Sequence, residues 1–236
     1  LDKETIIVSA QNGIPWWYFH GTVGEWGNLH LESVDPGGRI ARAIDPARII
    51  GCIVYPSSLI VEPGVIRHTE GNRFAIGEID GTVTERCKRL SSALINAGFK
   101  APIRSRIRQE IWAKLLGNVA FNPLSAITRS TLADIAGHPE TASVAKHIMA
   151  EAHSVANGLG ISIPVTIEQR FSGAAEVGDH KTSMLQDIES GRPTELESIM
   201  GAIIELGDKL QIHMPYSQAV YACVKLLTEA MKANPS

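Results

Sequence analysis

Cysteine is scarce in this chain: three in 236 residues, Cys52, Cys87 and Cys223, far apart and never in a C-x-x-C pair. So few, odd and dispersed, they support neither a disulfide framework nor a zinc site, and they point to a reduced, cytoplasmic compartment. No run of 18 or more apolar residues occurs, which excludes a membrane-spanning helix. Neither sign of charge dominates, with 22 basic against 25 acidic residues and a net charge of -3. That balance leaves no electrostatic footprint for nucleic acid or for a membrane surface. None of the 21 glycines falls into G-x-G-x-x-G or G-x-x-x-x-G-K-[ST], so no phosphate-cradling loop is recognisable. Among the eight histidines there is no H-E-x-x-H. His147 and Glu151 are four apart with no third ligand in sight, so they read as surface residues and no metal is expected. The chain starts at Leu1 rather than methionine and opens into an apolar run with no signal peptide ahead of it, as if it began inside something longer.

What is present is enough for a core. Hydrophobic residues make up 44% of the chain, and its length suits one large or two modest domains. Residues 5–10 (TIIVSA) read as a buried strand ending at a Gln11-Asn12-Gly13 turn. Apolar runs at 49–55, 64–67 and 74–77 follow, separated by Pro56, Pro63-Gly64 and Gly71-Asn72. Thr82-x-x-Glu85 has the form of a capping box opening a helix that runs to about Ala97, with Gly98 at C′. A short segment at 99–103 returns toward the strands. Beyond residue 105 the strand signals stop. A long helix is expected over 106–127, kinked or ended late by Pro123. Further helices are expected over 139–158, 164–175, 183–190, 195–210 and 216–232, the fourth opened by a second capping box at Thr194-x-x-Glu197. The aromatic run 15–19 reads as core or domain-interface packing, because no basic stripe accompanies it.

Lys114, Asn118 and Asn122 stand at i, i+4 and i+8, so one helix face carries an ammonium and two amides beside an apolar stripe. A solvated face is one explanation. The asparagines argue for another, since two amides inside one helix cost stability unless they have partners. Asn12 follows the first strand, where open α/β sheets place their ligand crevice, although Asn-Gly is also a common tight turn. Glu195 would occupy the first turn of a helix, where the dipole favours a carboxylate in any case, and Ser183 could be an ordinary N-cap.

Together these segments resemble the ketopantoate reductase (2-dehydropantoate 2-reductase) family. The resemblance lies in Gln-Asn-Gly-Ile-Pro-Trp-Trp-Tyr-Phe (11–19), Glu62 to His68 and Ile76-Gly77-Glu78. It continues in Trp112-x-Lys114-Leu115-x-x-Asn118-x-x-x-Asn122-Pro123-Leu124, and in Ser183-Met184-Leu185-Gln186-Asp187 with Arg192-x-Thr194-Glu195. The resemblance implies part of an NADP-binding Rossmann α/β domain over 1–104. It is followed by an all-α domain of the 6-phosphogluconate dehydrogenase C-terminal type over 105–236. It implies an oxidoreductase that reduces ketopantoate with NADPH in pantothenate and coenzyme A biosynthesis. Lys114 aligns with the general acid and Glu195 with a carboxylate contacting that lysine and the bound ligand, cofactor included. Asn118, Asn122 and Ser183 align with substrate contacts, and Asn12 with the cofactor–substrate crevice. A small keto-acid substrate is implied, a homodimer is compatible, and nucleic acid or membrane partners are not expected. The family's opening strand, Gly-rich turn and cofactor-selecting residues precede Asn12 and are absent here, roughly 80 residues, more than one βαβ unit of about 30. Two alternatives follow: a reductase of another small 2-keto acid, or a catalytically inert binding or assembly module.

Overall fold

The computed structural model describes residues 2, 4–176 and 178–233; Leu1 lies outside them. The first part is a small sheet. Strand β1 (Ile7–Ala10) pairs in parallel with β2 (Ile49–Val54), and β2 pairs antiparallel with β5 (Phe74–Glu78). Segment 100–103 continues the sheet through parallel bridges from Lys100 to Arg73 and from Ile103 to Ile76. Every residue of β2 but the last is buried, and side chains on a strand alternate between faces. Ile49 and Ile53 therefore face a cluster with Trp17, Ile107 and Ile111, while Ile50 and Cys52 face one with Ile76 and Cys87. Helix α2 (Glu85–Asn96), which carries Cys87, covers that second face.

Strand β1 departs from the buried strand expected over 5–10. Its residues alternate between half-buried and exposed, because among the described residues it pairs only with β2 and forms an edge. The apolar run at 64–67 does not join the sheet either. It lies in β4 (Val65–Glu70), which pairs with the unanticipated β3 (Ser57–Glu62) as a separate two-stranded arm. Ile60 and Ile66 face each other across this arm and are 75% and 71% exposed.

The remainder is helical. A short α1 (Arg39–Ala43) precedes the sheet's central strand, and α3 (Ile107–Thr128) opens the helical part. Then come α4 (Leu132–Gly137), α5 (Pro139–Gly158), α6 (Ile167–Glu176) and α7 (Ser183–Glu189). A π-helical turn (Glu197–Gly201) leads into α8 (Ala202–Lys209), and α9 (Pro215–Ala233) closes the order. Helix α3 runs past Pro123 to Thr128, close to the extent expected over 106–127. Helix α4 was not anticipated. None of the described helices is long and apolar enough to cross a membrane.

Two helix starts differ from the sequence expectation because side chains find other partners. Helix α2 is capped by Thr84, whose hydroxyl accepts from the Cys87 N–H, and not by Thr82, whose hydroxyl donates to Asp80 at 2.7 Å. No capping box forms at Thr194, because the Glu197 carboxylate accepts instead from the Tyr221 hydroxyl of α9 at 2.9 Å. Glu151 is more than a surface residue. It accepts from the Tyr216 and Ser217 amides and the Ser217 hydroxyl at 2.6–2.9 Å, tying α5 to the start of α9.

The two parts share one core. The loop carrying Trp17, Tyr18 and Phe19 is buried against α3, as expected for packing aromatics. The Trp112 indole N–H donates to the Tyr18 hydroxyl at 2.7 Å, and Arg108 donates to the Tyr18 and His20 carbonyls. Helix α3 is thus the common wall between sheet and helices, with 14 of its 22 residues buried.

Candidate active site

The buried flanks of α3 exclude a solvated face for Lys114, Asn118 and Asn122. All three line a cavity of about 340 Å³, and Asn122 is only 5% exposed. The carboxyl end of β2 closes one side through Val54 and Tyr55, and α6 and α7 contribute Arg170, Ser183 and Gln186. Asn12 enters from the turn after β1, so the cavity lies outside the carboxyl ends of the parallel pair β1–β2, where open α/β sheets bind ligands.

The Lys114 ammonium donates to Asn12 Oδ1 at 2.6 Å and to the Val54 carbonyl oxygen. An ammonium has three protons, so one remains for a ligand in the cavity. Asn12 Nδ2 donates in turn to Glu195 Oε2 at 2.7 Å. Because the carboxylate can only accept, this bond fixes which end of the amide faces the lysine. The direct Lys114–Glu195 contact implied by the family resemblance is not what is found: the Asn12 amide stands between them, and Glu195 is not among the residues lining the cavity. Nor does Glu195 lie within the first helical turn. It sits just ahead of the π-helical turn, where its carbonyl accepts from the Ile199 N–H.

That π-helical turn also seats the first strand's turn. Gly13 has φ +79, and a Cβ there would overlap the Ser198 carbonyl group; the neighbouring Ile14 N–H donates to that same carbonyl at 2.8 Å. Only glycine permits this approach, which places Asn12 between Lys114 and Glu195.

Burial pushes the Lys114 ammonium down to about 8; the Glu195 carboxylate opposes the fall, and the Arg170 guanidinium adds to it. Cys52, buried nearby, is pushed up to about 11 and remains a thiol. Ser183 is exposed on the cavity wall at the first position of α7; the cap itself is the buried Thr182, which accepts from the Leu185 N–H. Arg170, Tyr55, Thr182, His180 and Gln186 also line the cavity and were not anticipated from the sequence. Gly117, a helix-interior glycine between Lys114 and Asn118, was a legible sign that something approaches α3 closely. That neighbour is Arg170. No group of three or more His, Cys, Asp or Glu suited to a metal ion occurs among the described residues.

The family profile "Ketopantoate reductase PanE/ApbA C terminal" matches residues 106–228, the stretch holding Lys114, both asparagines, Ser183 and Glu195. The chain belongs to the ketopantoate reductase family. It is 46% identical over 227 residues to a 2-dehydropantoate 2-reductase of Mesorhizobium japonicum, covering 96% of this chain and 70% of that protein. Its fold matches a provisionally named ketopantoate reductase from Ralstonia solanacearum with a TM-score of 0.91 at 32% identity, covering 98% of this chain and 70% of the other. It also matches a 2-dehydropantoate 2-reductase from Methylococcus capsulatus with a TM-score of 0.80 at 29% identity, covering 98% and 68%. The fold is accordingly part of a Rossmann α/β unit followed by the all-α unit of ketopantoate reductases.

Proposed function

We propose that this protein is an oxidoreductase that reduces the ketone of 2-dehydropantoate to the hydroxyl of pantoate with NADPH, Lys114 acting as general acid. The observation that carries the reading is the one uncommitted proton of the Lys114 ammonium. The ammonium is held by Asn12 and Val54 inside a small polar cavity at the carboxyl ends of two parallel strands. In this reading residues 1–104 supply the cofactor side of the cavity and residues 105–236 the catalytic and substrate side.

The residues present fit the nicotinamide end of such a cofactor: Asn12 and the Val54 carbonyl flank a crevice of the kind that accepts it. They do not include the glycine-rich turn that holds a pyrophosphate, since no G-x-G-x-x-G occurs in the chain. When bound, NADPH supplies the hydride. The protein's own part is electrostatic and protic. As the carbonyl carbon gains the hydride, charge gathers on its oxygen, and the Lys114 ammonium beside it stabilises that charge and gives up a proton. Asn118 and Asn122 offer donors and acceptors to the substrate's hydroxyl and keto oxygens, and Ser183 a further hydroxyl. Glu195, by fixing the Asn12 amide, keeps the lysine aimed.

The test is oxidation of NADPH, and separately NADH, by the intact gene product with 2-dehydropantoate and a panel of other small 2-keto acids, with the reaction product identified. Turnover best with 2-dehydropantoate and NADPH is expected. A clear preference for another keto acid overturns the substrate, and no turnover with any overturns the reading.

A further inference from the structure

We infer that Arg170 is a carboxylate-binding subsite of this cavity, recognising the acid end of a 2-keto acid whose ketone faces Lys114; this rests on the reading of the protein as a keto-acid reductase. Arg170 projects from α6 into the cavity and lies against α3 at Gly117. A Cβ on Gly117 would stand 2.5 Å from its Nε and 2.7 Å from its Nη2, so the guanidinium occupies the space a side chain would take. An arginine carries five N–H donors. Its Nε is closed to solvent without a hydrogen-bond partner, and no hydrogen bond or ion pair involves its side chain among the described residues. Burial works against a charged guanidinium here and Tyr55 opposes it only in part, while the charges of Arg170 and Lys114 repel each other across the same cavity. An unpaired cation kept in such a place is best accounted for by an anion that arrives with the ligand.

A 2-keto acid places its carboxylate one bond from the ketone carbon. With Lys114 on the ketone oxygen, an anion on the adjacent carbon is best met by a second cation nearby, and among the described residues Arg170 is the other guanidinium or ammonium group lining this cavity. A guanidinium matches a carboxylate through two parallel N–H donors, which also fixes the plane of the keto acid. Two separated cations thus distinguish the two ends of the substrate, which one lysine among neutral amides could not do.

The experiment compares 2-dehydropantoate with its neutral carboxamide in the parent protein and in Arg170→Gln, Arg170→Lys and Gly117→Ala. Loss of a charge-assisted bidentate bond predicts a KM for the acid raised about 10- to 100-fold in Arg170→Gln. Little change is expected for the carboxamide or for the KM of NADPH, and Arg170→Lys should recover part of the loss. Gly117→Ala displaces the flexible end of Arg170 without removing its charge or weakening the helix, so it should raise the acid's KM while the melting temperature holds. Equal KM values for the acid in parent and Arg170→Gln overturn the subsite, as does a loss shared equally by acid and carboxamide or confined to NADPH. No turnover of any 2-keto acid by the parent overturns the underlying reading instead, and the subsite falls with it.

Discussion

Lys114 owes its chemistry to where α3 puts it. An exposed lysine ammonium holds its proton far above neutral pH and gives it up reluctantly; burial brings this one down to about 8, nearer to the pH at which the proposed general acid would donate. The proposed reduction needs the protonated form, so the rate of ketone reduction should be level below about 8 and fall as pH rises through that value. A pH profile of kcat/KM with 2-dehydropantoate reads this directly, and the reverse oxidation should show the opposite limb. The Glu195 carboxylate holds the ammonium charged against burial, so Glu195→Gln should move the alkaline limb to lower pH. Local sequence could not reveal this arrangement in full. Asn12 reads equally well as a plain Asn-Gly turn, and the carboxylate that fixes its orientation lies 183 residues away. The i, i+4, i+8 face of α3 was legible because helical period alone brings its three side chains together. Arg170 was not, because α6 offers no pattern that marks it and only Gly117 hinted at a neighbour.

At the scale of elements, the turn after β1 and the π-helical turn depend on each other. Gly13→Ala would force both a left-handed φ on alanine and an overlap with the Ser198 carbonyl group. It should lower stability by about 1–3 kcal/mol in thermal or denaturant unfolding, and lower kcat by displacing Asn12. Glu78 at the end of β5 joins the sheet to α2. It accepts from Arg86 at 2.5 and 2.8 Å and from the Thr84 hydroxyl. Burial alone would raise this carboxyl, but those bonds outweigh it and hold Glu78 below its ordinary value. Its stabilisation is therefore present above the unfolded carboxylate range, about 4.3, and is lost as pH falls through the lower folded value. Arg86 is partly exposed, so Arg86→Ala should cost more than the ~1 kcal/mol of a surface pair and less than the ~3–5 of a buried one. Urea unfolding at neutral and at acid pH should show that difference shrinking as the medium is acidified. The same contact explains why Thr84 rather than Thr82 caps α2. Both threonines precede Glu85, and the choice is made by a carboxylate on another element. Helices α3 and α5 were readable because their apolar residues recur at helical spacing over five turns or more. The β3–β4 arm was not, since its six-residue strands have no buried face to impose alternation.

On the scale of the whole molecule, one buried cluster runs from Ile49 and Ile53 in the sheet through Trp17 and Trp112 to Ile148 and Val224 in the helices. The cavity sits where sheet and helices meet across α3, so the packing that holds them together also sets the distance from Asn12 to Lys114. The described part of the sheet contributes the carboxyl ends of β1 and β2 and the Asn12 turn, and the helical part contributes Lys114, Arg170, Asn118, Asn122 and Ser183 to the cavity wall. This division accounts for a site whose motifs lie far apart in sequence yet converge on one small volume. At the centre of the proposed mechanism, Lys114 delivers the proton in ketone reduction. The measurement that addresses it most directly is kcat/KM for NADPH-dependent reduction of 2-dehydropantoate by the parent protein and by Lys114→Ala, with melting temperature as a control. A fall of about 10²–10⁴-fold at unchanged melting temperature is expected. Parent-like turnover by Lys114→Ala would contradict it.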